Sequence, residues 1–134
     1  MTSYERGLLD TSVLIASEAG RQLADDELPA AAAISTVTLA ELRLGVLAAR
    51  DVSVQARRLD TLDNLSTMLV LYPDERAAAY WAELRVHLLR EQRAIGANDL
   101  WIAATALAHG LPLFTQDDGF AAVHGVAGLQ VVAV

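Results

Sequence analysis

The stretch Leu8-Leu9-Asp10-Thr11-Ser12-Val13-Leu14-Ile15 sets one carboxylate inside an otherwise apolar run. An isolated ionised carboxylate is very costly to bury. Asp10 must therefore be hydrogen-bonded, protonated, bound to a cation, or placed at the mouth of the core. Residues 7–10, GLLD, read as a short strand, and the chain after them is helical through about Ser17. A strand that ends on an acid and passes straight into a helix is the opening of an α/β unit.

A polar stretch from Glu18 to Glu27 ends near Pro29, and residues 34–37, ISTV, read as a second strand. Thr38 then begins a helical pattern of Leu39, Leu42, Val46 and Ala49, with a second stripe of Ala40, Leu44 and Leu47. Two apolar faces mean either full burial or one face turned to a partner. Residues 51–68 are expected to be helical through Leu59, Leu62 and Leu65, and Leu69 to Tyr72 form a strand stopped by Pro73. Asp74 caps the next helix, whose seam is Ala77, Trp81, Leu84 and Leu88 and whose stop is Gly96. Asn98-Asp99 opens a nearly all-apolar helix closed by His109-Gly110, and residues 111–115 and 129–134 read as strands. Short apolar strands alternating with helices predict an α/β fold: a mainly parallel central sheet flanked by helices on both faces, in one domain over 1–134.

Composition narrows the chemistry. With 54% hydrophobic and 20% charged residues, the 134-residue chain is long enough and apolar enough for a real core. No apolar run reaches the roughly 18 residues that span a bilayer, and no basic start precedes an apolar stretch, so a cytoplasmic protein is expected. The absence of cysteine removes disulfides, thiolate zinc sites and thiol nucleophiles. All ten basic residues are arginine, which excludes a Walker A loop, a Schiff-base lysine and the lysine of a receiver domain. A haloacid dehalogenase-like site would want a second aspartate at position 12, which is Ser. The net charge of −7 is the wrong sign for simple nucleic-acid binding.

Ligands of open parallel sheets bind beyond the carboxyl ends of the strands. Asp10 follows the first strand, Glu41 lies one turn into the helix after the second, Asp99 opens the central helix, and Asp117 and Asp118 follow LFTQ. Four elements thus bring carboxylates to one edge of one sheet, where like charges need protons or cations. Each acid also has a local reading. Thr38 and Glu41 fit a capping box, Asn98 and Asp99 a helix start, and Asp117-Asp118-Gly119 a turn. Asp10 is hardest to dismiss, because the cap after it is open to Thr11 or Ser12. Oxygen ligands without His or Cys favour Mg²⁺ or Mn²⁺ over zinc.

The ordered blocks LLDTSVLI, ISTVTLAELRLG, ANDLWIAATALAHG and LPLFTQDDGF resemble a PIN domain, and more narrowly the VapC-type ribonuclease toxins of prokaryotic toxin-antitoxin pairs. The resemblance covers essentially the whole chain and implies a three-layer PIN-like fold. Asp10, Glu41, Asp99 and Asp117 match the acidic quartet of that family, with Thr115 and Phe120 in its T-x-D-x-x-F block. It implies a Mg²⁺- or Mn²⁺-dependent endoribonuclease in which Asp10 and Asp99 hold a divalent ion. Glu41 and Asp117 complete that shell, orient water or help a second ion bind. Thr11, Ser12, Thr115 and Asp118 are candidates to orient the carboxylates, with local capping as the alternative for the hydroxyls. Arg43, Arg90 and Arg93 are candidates for phosphate contacts, with a solvated helix face as the alternative. The resemblance further implies an RNA substrate, a cognate antitoxin that inserts arginines into the acidic pocket, and a homodimer that forms a hetero-oligomer with it. The competing reading is a PIN-like protein-interaction module with an unused metal site. His87, His109 and His124 have no metal-spaced companions, and Trp81 and Trp101 are read as core or interface.

Overall fold

The computed structural model describes residues 4–134 and holds five parallel strands: β1 (Arg6–Leu9), β2 (Ala31–Ser35), β3 (Leu69–Leu71), β4 (Leu113–Thr115) and β5 (Val131–Ala133). They lie in the order β3-β2-β1-β4-β5. Their registers pair Leu8 with Ala33 and with Leu113, Leu9 with Phe114, and Ile34 with Val70. Strand residues alternate between two faces, and each face has its own core. Leu8, Ala33, Leu71 and Leu113 meet Leu84 and Leu88 of α4 (Glu75–Arg90) and Ile102 and Ala106 of α5 (Ala97–Ala108). Leu9, Ile34, Phe114 and Val132 meet Val13 and Leu14 of α1 (Thr11–Glu18) and Leu42 of α2 (Thr36–Ala48), with Leu62 of α3 (Val52–Asp63) packed alongside. The result is helix, sheet, helix in three layers, with an all-parallel sheet. Parallel strands buried on both faces read as continuous apolar runs, which is why LPLF and AAAI show no polar alternation.

Several boundaries differ from the sequence reading. The second strand is Ala31–Ser35 rather than residues 34–37, and α2 starts at Thr36. Its N-cap is Ser35, whose Oγ accepts the Val37 amide at 3.0 Å. Thr38 therefore lies inside the helix, fully buried, and the capping box with Glu41 is not formed. Asp10, not Thr11 or Ser12, caps α1, accepting the Ser12 and Val13 amides. Gly96 does not stop α4, which ends at Arg90 with Gln92 in the left-handed region at φ 55°; Gly96 is instead the N-cap of α5. Helix α3 ends at Asp63, short of Leu65. On α2, Leu42 is buried, whereas Leu44 and Leu47 are 66% and 75% exposed, so the second stripe faces outward. Among the described residues no helix is long and apolar enough to cross a membrane.

Candidate active site

Strand order turns at β1. The chain adds β2 and β3 on one side, then crosses back to lay β4 and β5 on the other. Such a switch point opens a crevice beyond the carboxyl ends of the two central strands. Asp10 follows β1 directly, and Thr115 ends β4 with Asp117 two residues on. The backbone ties these ends together, since the Asp10 amide donates to Phe114 O at 3.0 Å.

Asp10 is 3% exposed and fully engaged. Its Oδ1 accepts the Ser12 amide at 2.8 Å and the Ser12 hydroxyl, and its Oδ2 accepts Thr115 Oγ1 at 2.6 Å. Ser12 Oγ in turn accepts the Gln116 amide at 2.9 Å, and Thr115 Oγ1 accepts the Asp117 amide at 2.8 Å. One polar mesh thus locks the start of α1 to the loop after β4. Burial pushes the Asp10 carboxyl above its ordinary value, and the bonds from Ser12 and Thr115 pull it part of the way back.

Glu41 enters from α2. Its Oε1 accepts Thr11 Oγ1 at 2.7 Å, and the same hydroxyl oxygen lies 3.1 Å from Thr38 Oγ1. Asp99 sits half-buried in the first turn of α5, where the free amides of a helix start favour an anion. Its carboxyl is nevertheless pushed up to about 6, first by burial and then by the negative charges of Glu41, Asp10 and Asp117. The field of the other three acids therefore reaches Asp99. Asp117 is exposed, and its Oδ1 accepts the Gly119 amide at 2.8 Å, starting a 3-10 segment, Asp118–Val123, that buries Phe120. Asp118 is exposed beside it. Among the described residues no three acidic or histidine side chains stand close enough to grip one ion as they lie.

The donor chemistry still suits a hard divalent cation, because the set is all carboxylate oxygen and the four acids share one field. The arginines are spread more widely. Arg43 is exposed in a groove with Leu39, Leu59 and Asp63, and Arg90 is exposed in another with Glu83, His87 and Val126; neither groove is lined by any of the four acids. Arg93 is exposed in the connection to α5. The groove that does reach Glu41 holds Arg58, whose Nη1 donates to Gly45 O at 2.6 Å. Nothing in the sequence marks Arg58, and Thr38 is hidden by its apparent capping role. Trp81 and Trp101 stack on each other at 5.5 Å between α4 and α5, with the Arg85 guanidinium 5.1 Å from the Trp81 ring.

Comparison with known proteins gives a consistent picture. A model of the PIN domain matches residues 7–126. Ribonuclease VapC5 of Mycobacterium tuberculosis is 49% identical over 133 residues, covering 99% of this chain and 98% of that protein. Ribonuclease VapC4 of the same organism is 43% identical over 129 residues, covering 96% and 99%. Among solved structures, a member of the VapBC family of toxin-antitoxin systems, VapBC-5 from Mycobacterium tuberculosis, superposes with a TM-score of 0.91 at 46% identity, covering 97% of this chain and 99% of that one. A match across nearly the whole chain, in sequence and in fold, means that it belongs to the PIN-domain family.

Proposed function

We propose that this protein is a divalent-metal-dependent endoribonuclease, the toxin of a toxin-antitoxin pair, folded as a single domain. The observation that carries the proposal is the placement of Asp10, Glu41, Asp99 and Asp117 around the carboxyl ends of β1 and β4, where burial first and then the charges of Glu41, Asp10 and Asp117 raise the Asp99 carboxyl. It supports one shared acidic site drawn from α5, α2, β1 and the loop after β4. Asp10 and Asp99 would hold Mg²⁺ or Mn²⁺, with Glu41 and Asp117 completing the set. When bound, such an ion activates water for attack on a phosphodiester and neutralises charge gathering on the phosphoryl oxygens.

The protein's own residues supply orientation. Ser12 and Thr115 clamp both oxygens of Asp10, Thr11 aims Glu41, and the Thr115 hydroxyl fixes the backbone that carries Asp117. Asp118, adjacent to Asp117, adds negative charge at the rim. Arg43, Arg90 and Arg93 remain the candidates for RNA phosphate contacts, with Arg93 on the segment leading into α5. A bound cation also reconciles the net charge of −7 with an anionic substrate. The relatives' names support an antitoxin as partner, and an acidic, lysine-free surface suits a basic one. The exposed Leu44 and Leu47 support pairing of two copies through α2.

The test is cleavage of a total-RNA pool by folded, antitoxin-free protein. Wild type and Asp99→Asn are compared in Mn²⁺, in Mg²⁺ and in chelator. Cleavage should require the ion and should fall by about a hundredfold or more in the variant, since metal stabilisation of the transition state is worth several kcal/mol. Cleavage indifferent to chelator or to Asp99→Asn would sink the metal-nuclease reading. No cleavage at all would favour the interaction-module alternative.

A further inference from the structure

Between the carboxyl ends of β4 and β5 and the 3-10 segment Asp118–Val123 lies a groove of about 720 Å³ that starts at Thr115, Asp117 and Asp118 and is lined further on by Ala121, Val131 and His124. It shares Thr115, Asp117 and Asp118 with the acidic site, and none of the roles above uses the rest of its lining. Its walls there are small and apolar, with two polar groups of defined state. His124 Nδ1 accepts the Val131 amide at 3.0 Å, so the neutral ring carries its proton on Nε2. Gln116 spends its side-chain nitrogen on Gln22 O at 3.1 Å and Val134 O at 3.0 Å, which leaves its oxygen as an uncommitted acceptor among the described residues. Apolar walls with one fixed donor and one fixed acceptor suit an unstacked nucleobase whose edge is read by hydrogen bonds, as bases of single-stranded RNA are.

We propose that this groove binds the RNA nucleotide next to the scissile phosphate and that His124 Nε2–H and Gln116 Oε1 read its base edge. The assignment rests on the endoribonuclease reading and adds a specificity subsite to it. His124 is a positioning residue here, since it touches the base and not the reacting atoms.

Two substitutions separate its two nitrogens. In His124→Asn the side-chain oxygen can stand in for Nδ1 and keep the Val131 amide satisfied, but the distal donor is lost. In His124→Gln the distal donor is kept and the contact to Val131 is lost. The experiment digests a random-sequence single-stranded RNA pool with wild type and both variants in Mn²⁺, and reads the base frequencies around each cut by sequencing, alongside melting temperature and KM. His124→Asn should keep the wild-type melting temperature and lose about threefold to tenfold of base preference at one flanking position, the worth of one hydrogen bond, with the loss in KM rather than kcat. His124→Gln should retain most of the preference while melting lower. Cleavage by wild type with a profile that His124→Asn leaves unchanged would overturn the subsite alone. Failure of wild type to cut the pool anywhere would overturn the ribonuclease reading and the subsite together. Unchanged cleavage with weaker binding of an arginine-rich peptide by His124→Asn would give the groove to a protein partner and also overturn it.

Discussion

Asp99 and Asp10 show how two carboxylates in one site carry different burdens. Asp10 is buried but bonded on both oxygens, whereas among the described residues no side chain donates to Asp99, which faces three like charges. The Asp99 carboxyl titrates near 6 in the fold against 3.8 in a free peptide. A raised acid pKa means that ionisation costs more in the folded than in the unfolded state. The cost is absent below pH 3.8, grows between 3.8 and about 6, and is constant above. Asp99→Asn removes it. With solvent screening at this half-exposed position, the gain at pH 7.5 should be about 1 kcal/mol, or roughly 3–5 °C in melting temperature. Melts in chelator at pH 7.5 and pH 4 test this: a gain of equal size at both would show that charge is not its cause. At this scale the acids themselves were legible in the sequence, because residue type and strand-end position point to them. Their partners were less so. Ser12 looked like a cap and instead donates to one, and the link from Gln116 to Ser12 spans 104 positions that no local pattern connects.

At the scale of elements, the type of each piece was readable and its edges were not, for identifiable reasons. Ile34-Ser35-Thr36-Val37 is a β-favouring run, yet Ser35 caps a helix that takes Thr36 and Val37, while the weak strand formers Ala31 to Ala33 are held extended by pairing with Arg6, Gly7 and Leu8 of β1. Gly96 looked like a helix stop because the left-handed C-terminal position is filled by Gln92. Gly7 makes a sharper demand. A Cβ built there would lie 2.1 Å from Phe114 Cε1, and the Phe114 ring is fully buried and meets Tyr4 edge-on at 5.2 Å. Gly7→Ala must therefore push an immobilised ring out of the contact between β1 and β4. An overpacking cost of about 1–3 kcal/mol is expected, read as a lower denaturant midpoint with unchanged slope. A midpoint equal to wild type would show that the ring moves freely. The same strain sits one strand length below Asp10 and Thr115, so the variant should also lose RNA cleavage more steeply than its fraction folded explains.

Over the whole molecule, a chain of charge −7 with no lysine concentrates four of its acids at the one crevice its topology creates. On the proposed metal reading such an assembly should be more stable with a cation than without, because an ion that binds only the folded state adds RT ln(1 + [L]/Kd) to stability. Mn²⁺ or Mg²⁺ should therefore raise the melting temperature at pH 7.5 in a concentration-dependent way, and monovalent salt at matched ionic strength should raise it less, since screening acts on every surface charge and not on this site. Protons compete for the same oxygens. With Asp99 titrating near 6, the divalent shift should be smaller at pH 5 than at pH 7.5, where the carboxylate is already bare. Asp99→Asn should start from a higher metal-free melting temperature and gain less from the ion. The two variant effects share one cause, the cost of ionising Asp99 in a buried position beside three other acids, and so must move together. A divalent shift of equal size in wild type and Asp99→Asn would place the ion elsewhere on the acidic surface and separate the stability of the crevice from its chemistry.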